Sequence, residues 1–281
     1  LIIQVVEEAL MTAECDRSQL DGIAATYGPG LVGALLVGLN FGKAMAYGLG
    51  IPFVGVNHME GHLYSNLLSE PRHDFPFLSL IVSGGHTMLV HVTRPFHHHV
   101  LGQTRDDAAG EAFDKVAKML DLGYPGGPKI DKIARTGNSA AIRFPRSYLN
   151  AQGWEFSFSG VKTAVLYHLR KHGRPGDAAG LADLCASFQE AVVETLVEKT
   201  RTAARHLGVR DVTIAGGVSA NSRLRQRMQE TCRQSGLRLF YPPLEYCMDN
   251  GDRIGYVGWR KLEEGLRSPL ELNAVAGLEL V

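Results

Sequence analysis

In "GVNHMEGHLY", His58 and His62 stand four positions apart. Residues i and i+4 share one face of a helix, so two imidazoles at this spacing reach a single metal ion. The other reading is a pair of surface or capped histidines, and a third donor separates the two. Asp249 is the best acid by context, because "CMDNGD" flanks it with asparagine and glycine beside a helix start rather than with solvated charge. Glu60 lies between the histidines, but not where a zinc protease helix carries its base. In H-E-x-x-H the glutamate directly follows the first histidine, and in the inverted form it directly precedes the second. Two residues from each, Glu60 projects about 160° from the metal-facing side at 3.6 residues per turn and is a poor general base. "HHH" at 97–99 is a weaker metal candidate, since consecutive residues of an extended segment point different ways.

Two glycine turns share a design. "VSGGHT" (82–87) and "IAGGVSAN" (214–221) each run from a β-branched strand through Gly-Gly to small hydroxyl residues. Such a strand end exposes backbone amides with no side chain in the way, so a phosphate or ribose can come close. One turn of this kind is equally an ordinary hairpin; two, with "YPGGP" at 124–128, point to a nucleotide-like ligand between two lobes. "GPGLVG" (28–33) matches the dinucleotide fingerprint, yet the following strand ends in Asn57 and His58 rather than a ribose-binding acid, and Pro29 removes an amide. A tight turn that packs helix against strand explains it better. Ser157 and Ser159 in "FSFSG" lack a G-x-S-x-G elbow and read as a loop lining the cleft.

The elements that must position these residues alternate. After an opening helix, "LDGIAATYGPG" and "IPFVGVNHMEGHLYSNLL" each read as a buried strand passing into a helix, the pattern of parallel α/β structure. "EPRHDFP" interrupts this with two prolines, and two strands hinged on Gly84 and Gly85 follow. Residues 106–136 read as helical apart from "GYPGGP", whose prolines and glycines exclude a helix. "LADLCASFQEAVVETLVEKTRTAARHL" is the clearest amphipathic helix, and a last helix starts at a cap supplied by Asp249 or Asn250. These elements divide into a first lobe over 1–75, a second over 76–249, and a segment over 250–281 whose helix returns to the first.

With 281 residues, 45% of them hydrophobic, the chain can bury a large core. Its 29 basic and 29 acidic side chains cancel, so a nucleic-acid partner would need a local basic patch. The segment carrying Arg223, Arg225, Arg227, Arg233 and Arg238 is either that patch or a solvated helix face. Cys15, Cys185, Cys232 and Cys247 form no C-x-x-C pair, which fits reduced, buried thiols in a cytosol-like compartment. No uninterrupted run of eighteen apolar residues marks a membrane span, and the start has acids where a signal peptide needs a basic flank.

Taken in order, "NHMEGH", "VSGGHT", "DDAAGEAFDKVAKMLDLGYPGGP", "FSFSGVKTAV", "AGGVSAN" and "CMDNG" resemble the TsaD/Kae/Qri family of tRNA N6-adenosine threonylcarbamoyltransferases, once called O-sialoglycoprotein endopeptidases, from about residue 20 to about residue 260. The resemblance implies a two-lobed actin/Hsp70/sugar-kinase-like fold of the α/β class. It implies transfer of a threonylcarbamoyl group from threonylcarbamoyl-adenylate to N6 of adenosine 37 in tRNAs that read codons beginning with A. By motif, His58, His62 and Asp249 become ligands of one iron(II) or zinc ion. Val82, Ser83, Gly84, Gly85 and His86 become the loop on the acyl-adenylate, and Asp114, Gly127, Asp131 and Asn221 its remaining contacts. Without the resemblance, Asp114 and Asp131 read as plain helix surface. The family also implies accessory proteins of the TsaB/TsaE or KEOPS type, a homodimer in the mitochondrial case, and a cytoplasmic or mitochondrial site of action. The family's opening Gly-Ile-Glu-Thr-Ser-Cys-Asp-Glu-Thr-like turn and its Arg-Pro-rich ending have no counterpart here, so the first lobe is expected to be incomplete at its N-terminus. A non-catalytic scaffold of the same fold, a metalloprotease and a sugar kinase are the competing functions.

Overall fold

Strand, glycine turn and helix recur along the chain, and the computed structural model describes residues 1–147 and 153–280. The first elements are α1 (Ile2–Thr12), β1 (Ile23–Gly28), α2 (Val32–Leu49), β2 (Phe53–Asn57) and α3 (His58–Tyr64). Next come β3 (Phe77–Val82), β4 (Thr87–Arg94), β5 (His97–Gln103), α4 (Ala109–Met119), α5 (Gly126–Ala134), α6 (Ser159–His172) and α7 (Ala178–Leu207). The chain continues with β6 (Asp211–Ala215), α8 (Ser222–Ser235), β7 (Arg238–Phe240), α9 (Leu244–Cys247) and α10 (Gly251–Glu263). Residues 1–68 with 250–281 form one unit, and residues 69–249 form the other.

In the first unit β1 and β2 are parallel, with Ala25 opposite Gly55, and α2 is the crossover between them. Leu35, Leu39, Gly42 and Ala46 form the buried stripe of α2, and Leu39 and Ala46 pack with Phe53. Among the described residues α2 is the one helix long and apolar enough, by length and composition, to cross a membrane. Its remaining surface leaves Val32, Leu36, Val37 and Tyr47 exposed. α10 lies against α3 and both strands, burying Arg253 and Val257.

The second unit is built on a mixed five-stranded sheet of order β5-β4-β3-β6-β7. β3, β6 and β7 run parallel; β4 pairs antiparallel with β3, and β5 antiparallel with β4. Leu78, Leu80, Val82 and Leu89 face a core completed by α4, α7 and Ile214. Two expectations are corrected here. The segment "GYPGGP" does not exclude a helix, because α5 starts at Gly126 and takes Pro128 into its first turn, where the missing N–H has no intrahelical partner to lose. The long helix α7 is more than amphipathic: it buries every residue from Leu184 to Gln189, so it is covered on several sides.

His73 precedes β3 and is 5% exposed, its ring packed against Phe75, Phe77 and Phe240. Burial pulls its pKa from 6.5 down to about 4, against the smaller opposing pull of Asp74 and Asp211. The unfolded chain therefore binds a proton near pH 6.5 that the folded chain refuses until about pH 4. Stability is fully present above pH 6.5 and falls by about 3 kcal/mol from this group as pH drops to 4. Denaturant titrations at pH 7 and pH 4.5 should show a smaller loss for His73→Phe than for wild type; equal losses would refute this account.

Candidate metal centre and glycine turns

The fully buried strand β2 ends at Asn57, whose Oδ1 accepts the Met59 N–H at 2.8 Å. Glu60 returns the bond, its Oε2 accepting the Asn57 N–H at 3.1 Å, which makes a capping box. This cap fixes the first turn of α3 and with it both histidines. The His58 and His62 rings lie 5.1 Å apart by centroid with their planes near perpendicular. Asp249 is bonded to Asn250, the N-cap of α10, so the chain itself brings its carboxylate to the helix that packs on α3. One ligand atom from each of His58, His62 and Asp249 lies within 4.8 Å of the others.

Two imidazoles and a carboxylate are a donor set that zinc and iron both accept, and three protein ligands leave room for a substrate atom. The guanidinium of Arg253, 1% exposed, lies against the ring nitrogens of His62. Glu60 is committed elsewhere. Besides the Asn57 N–H, its Oε2 accepts from Lys261 Nζ at 2.6 Å, so no free base stands between the histidines.

In the second unit, Ser83-Gly84-Gly85-His86 is the turn of the β3–β4 hairpin. The Ser83 N–H donates to the His86 carbonyl at 2.8 Å, and the His86 N–H to Ser83 Oγ at 3.1 Å. Gly84 and Gly85 are exposed, and a Cβ on either would meet nothing within 4 Å. Their amides are therefore open to a ligand. Val82 is fully buried in the core and has only its backbone to offer. Burial holds the His86 imidazole below the usual histidine range, with Asp249 pulling the other way. At Gly110, near the start of α4, a Cβ would lie 2.6 Å from the Ser83 carbonyl and 2.8 Å from Gly84 Cα, so helix and turn touch backbone to backbone. One turn further along α4, Asp114 accepts the Gly126 N–H at 2.7 Å and ties α4 to the start of α5.

A family model described as TsaD: tRNA N6-adenosine threonylcarbamoyltransferase matches residues 1–256. The chain belongs to the TsaD family. A curated relative from Symbiobacterium thermophilum, named tRNA N6-adenosine threonylcarbamoyltransferase, is 50% identical over 280 residues, covering 100% of this chain and 82% of its own length. Relatives of the same name from Salinibacter ruber and Desulfitobacterium hafniense are 52% and 51% identical, over 100% and 98% of this chain and 84% and 81% of theirs. Among solved structures, T. kodakarensis HypF superposes with a TM-score of 0.69 at 16% identity, over 94% of this chain and 43% of that one. Full-length HypF in its phosphate- and nucleotide-bound form gives 0.66 at 14%, over 94% and 41%. At such identity the likeness is one of fold.

The structure of this TsaD family member places the other motif residues as follows. Asp131 is 7% exposed and accepts from Ser222 Oγ at 2.7 Å, so it is not the plain helix surface that its sequence context alone suggests. Asn221 caps α8 and donates to Gln189 at 2.8 Å. Ser222 thus links Asp131 to the turn after β6, while Gly127 stays open, with nothing within 4 Å of a Cβ. The "GPGLVG" turn is filled from within the chain: the Gly30 N–H donates to the Ala276 carbonyl, and a Cβ on Gly28 would strike the Val275 carbonyl. Three of the four arginines of α8 are matched by acids or carbonyls. Arg223 and Arg227 share Glu190, Arg225 donates to the Ser219 and Pro242 carbonyls, and Arg238, just beyond at β7, pairs with Asp211 and Asp74.

Sequence reasoning missed Asp106 and Arg253. Asp106 accepts from Ser157 Oγ and from the Phe158 and Ser159 N–H groups, capping α6 from about fifty residues away. No local pattern marks such a cap; the adjacent acids of "DDAAGE" before a helix are the only trace.

Proposed function

We propose that this chain transfers the threonylcarbamoyl group of threonylcarbamoyl-adenylate to N6 of adenosine 37 in tRNAs reading codons that begin with A. The convergence of His58, His62 and Asp249, in a chain half identical to enzymes of that name along its length, is the observation that carries the reading. In the reaction a bond forms between adenine N6 and the carbamoyl carbon, the bond to the AMP phosphate oxygen breaks, and the N6 proton is lost. A divalent ion held by the three ligands supplies Lewis acidity toward a carbonyl or phosphate oxygen. Iron(II) and zinc both suit the set.

The chain's own residues do the positioning. The open Gly84 and Gly85 amides face a phosphate without side-chain obstruction, and Ser83 and His86 hold that turn in shape. Asp114, Gly127, Asp131 and Asn221 provide acceptors and open backbone for the rest of the adenylate. No nucleophilic side chain is needed, because the leaving group is already activated.

Two separately packed α/β units and the likeness to HypF support the two-lobed actin/Hsp70/sugar-kinase type of fold. Accessory proteins of the TsaB/TsaE or KEOPS type, or a second copy of the chain, are the expected partners; the exposed Ile3, Val5 and Met11 of α1 and Val37 and Tyr47 of α2 support a protein contact. Four unpaired cysteines fit a reducing cytoplasm or mitochondrial matrix.

The test supplies protein, accessory proteins, acyl-adenylate and tRNA, and reads the modified nucleoside by mass spectrometry. Modification of a tRNA with adenosine at 37 and none with guanosine there is expected. Adenylate hydrolysis without transfer, or peptide release from a glycoprotein, would overturn the reading.

A further inference from the structure

We propose that the C-terminal half of α6 is a docking surface for the phosphate backbone of the tRNA; this rests on the acceptor assigned under Proposed function. The chain as a whole is neutral, so any attraction for a polyanion must be local. Residues 158–176 contain Lys162, Arg170, Lys171, Arg174, two histidines and no acid. Lys162 is already engaged by Asp107 at 2.7 Å. Arg170 and Lys171 are exposed, and among the described residues neither makes an ion pair. Arg174 pairs with Asp121, and both of those side chains are more than half exposed, where a phosphate can replace the carboxylate at little cost.

Basic residues in a last turn also suit the helix dipole, and that alone would explain one or two of them. Two further observations go beyond it. Tyr167, four residues before Lys171 on the same face, is 62% exposed, a ring available for stacking beside cations. And in the other arginine-rich helix, α8, three of the four arginines are matched internally, whereas in α6 both Arg170 and Lys171 are exposed without an ion pair among the described residues.

Placement fits the substrate. α6 starts at Ser159, whose N–H is held by Asp106 in the loop that leads into α4, and α4 touches the Ser83–Gly84 turn at Gly110. Fourteen residues of helix carry the chain about 21 Å from that end. An RNA presents a phosphate at every nucleotide, so a target base near the glycine turn brings its neighbours' phosphates within range of the cations at the far end. The ligand is thus a structured RNA whose backbone runs along α6, read by charge and not by sequence.

The experiment measures tRNA affinity of the protein with its accessory partners between 50 and 200 mM salt. Arg170→Glu combined with Lys171→Glu should weaken binding about tenfold or more and flatten the slope of log K against log salt by about two, one for each phosphate no longer neutralised. KM for tRNA should rise while kcat at saturating tRNA and affinity for AMP stay unchanged. Tyr167→Ala should weaken binding several-fold with the salt slope unaltered, since stacking releases no counterions. Wild-type affinity and slope in the charge-reversed variant would overturn the surface while leaving the transfer reading intact. Conversely, tRNA binding that depends on these residues, in a protein that transfers nothing, would overturn the reaction and keep the surface. A wild-type protein that binds no tRNA would overturn both.

Discussion

His58→Ala together with His62→Ala should abolish binding of a divalent ion and lower threonylcarbamoyl transfer by about a hundredfold or more. Of the three donors only Asp249 remains, and one exposed carboxylate is too few ligands to hold an ion against water. Elemental analysis of the purified variant gives a readout independent of turnover. The two histidines are not equivalent for folding. His58 is half-buried, but His62 is 2% exposed and lies against the buried Arg253 guanidinium. Removing its ring takes away that contact with a buried cation, at a cost of about 1–3 kcal/mol. His58→Ala alone therefore separates the effects: metal and activity fall while the melting temperature holds. Full metal content and full transfer in the double variant would remove these residues from the site.

Gly110→Ala is expected to lower stability by about 2–3 kcal/mol and to weaken AMP binding at least tenfold. The added methyl would sit 2.6 Å from the Ser83 carbonyl oxygen and 2.9 Å from the Gly84 nitrogen, backbone atoms that cannot rotate away. Nor can α4 retreat freely, because the Ala109 N–H donates to Thr87 Oγ1 at 2.9 Å and the Gly110 N–H to the Ser83 carbonyl at 3.2 Å. Overpacking of this kind costs about 1–3 kcal/mol, and lost hydrogen bonds add to it. Gly84→Ala is the contrast. It has nothing within 4 Å of its Cβ, so stability should change by less than about 0.5 kcal/mol while AMP affinity falls, because the methyl occupies the ligand's side of the turn. Gly110→Ala with wild-type melting and AMP affinity would show that the turn has slack the structure does not suggest.

The features read correctly from sequence depend on neighbours in the chain. Two histidines at i and i+4 share a helical face in any protein, and a strand followed by Gly-Gly exposes amides wherever it occurs. The Asn250 cap, one of the two expected, belongs to the same class, bonding to an N–H three residues on. What escaped is long-range. Asp131 looks like helix surface until Ser222, about ninety residues later, covers it. Arg223, Arg225 and Arg227 of α8 resemble a nucleic-acid patch until Glu190 and neighbouring carbonyls are brought to them by folding. "GYPGGP" misled for another reason: helix propensity disfavours glycine and proline in the interior, but the first turn tolerates both.

The first unit is made of two stretches, residues 1–68 and 250–281, with the second unit inserted between them. This sets an order of events on the ribosome. At roughly 5–20 residues per second, Asp249 is made about 10–40 s after His62. The inserted unit, continuous in sequence, can close its own core in that interval, while α3 waits for α10. A nascent chain thus carries its histidine pair without Asp249 or Arg253 while the inserted unit is made, and a product stopped before residue 250 lacks the helix that packs on the pair. An ion held jointly by His58, His62 and Asp249 could be captured only after residue 249 has been made, with the inserted unit already complete.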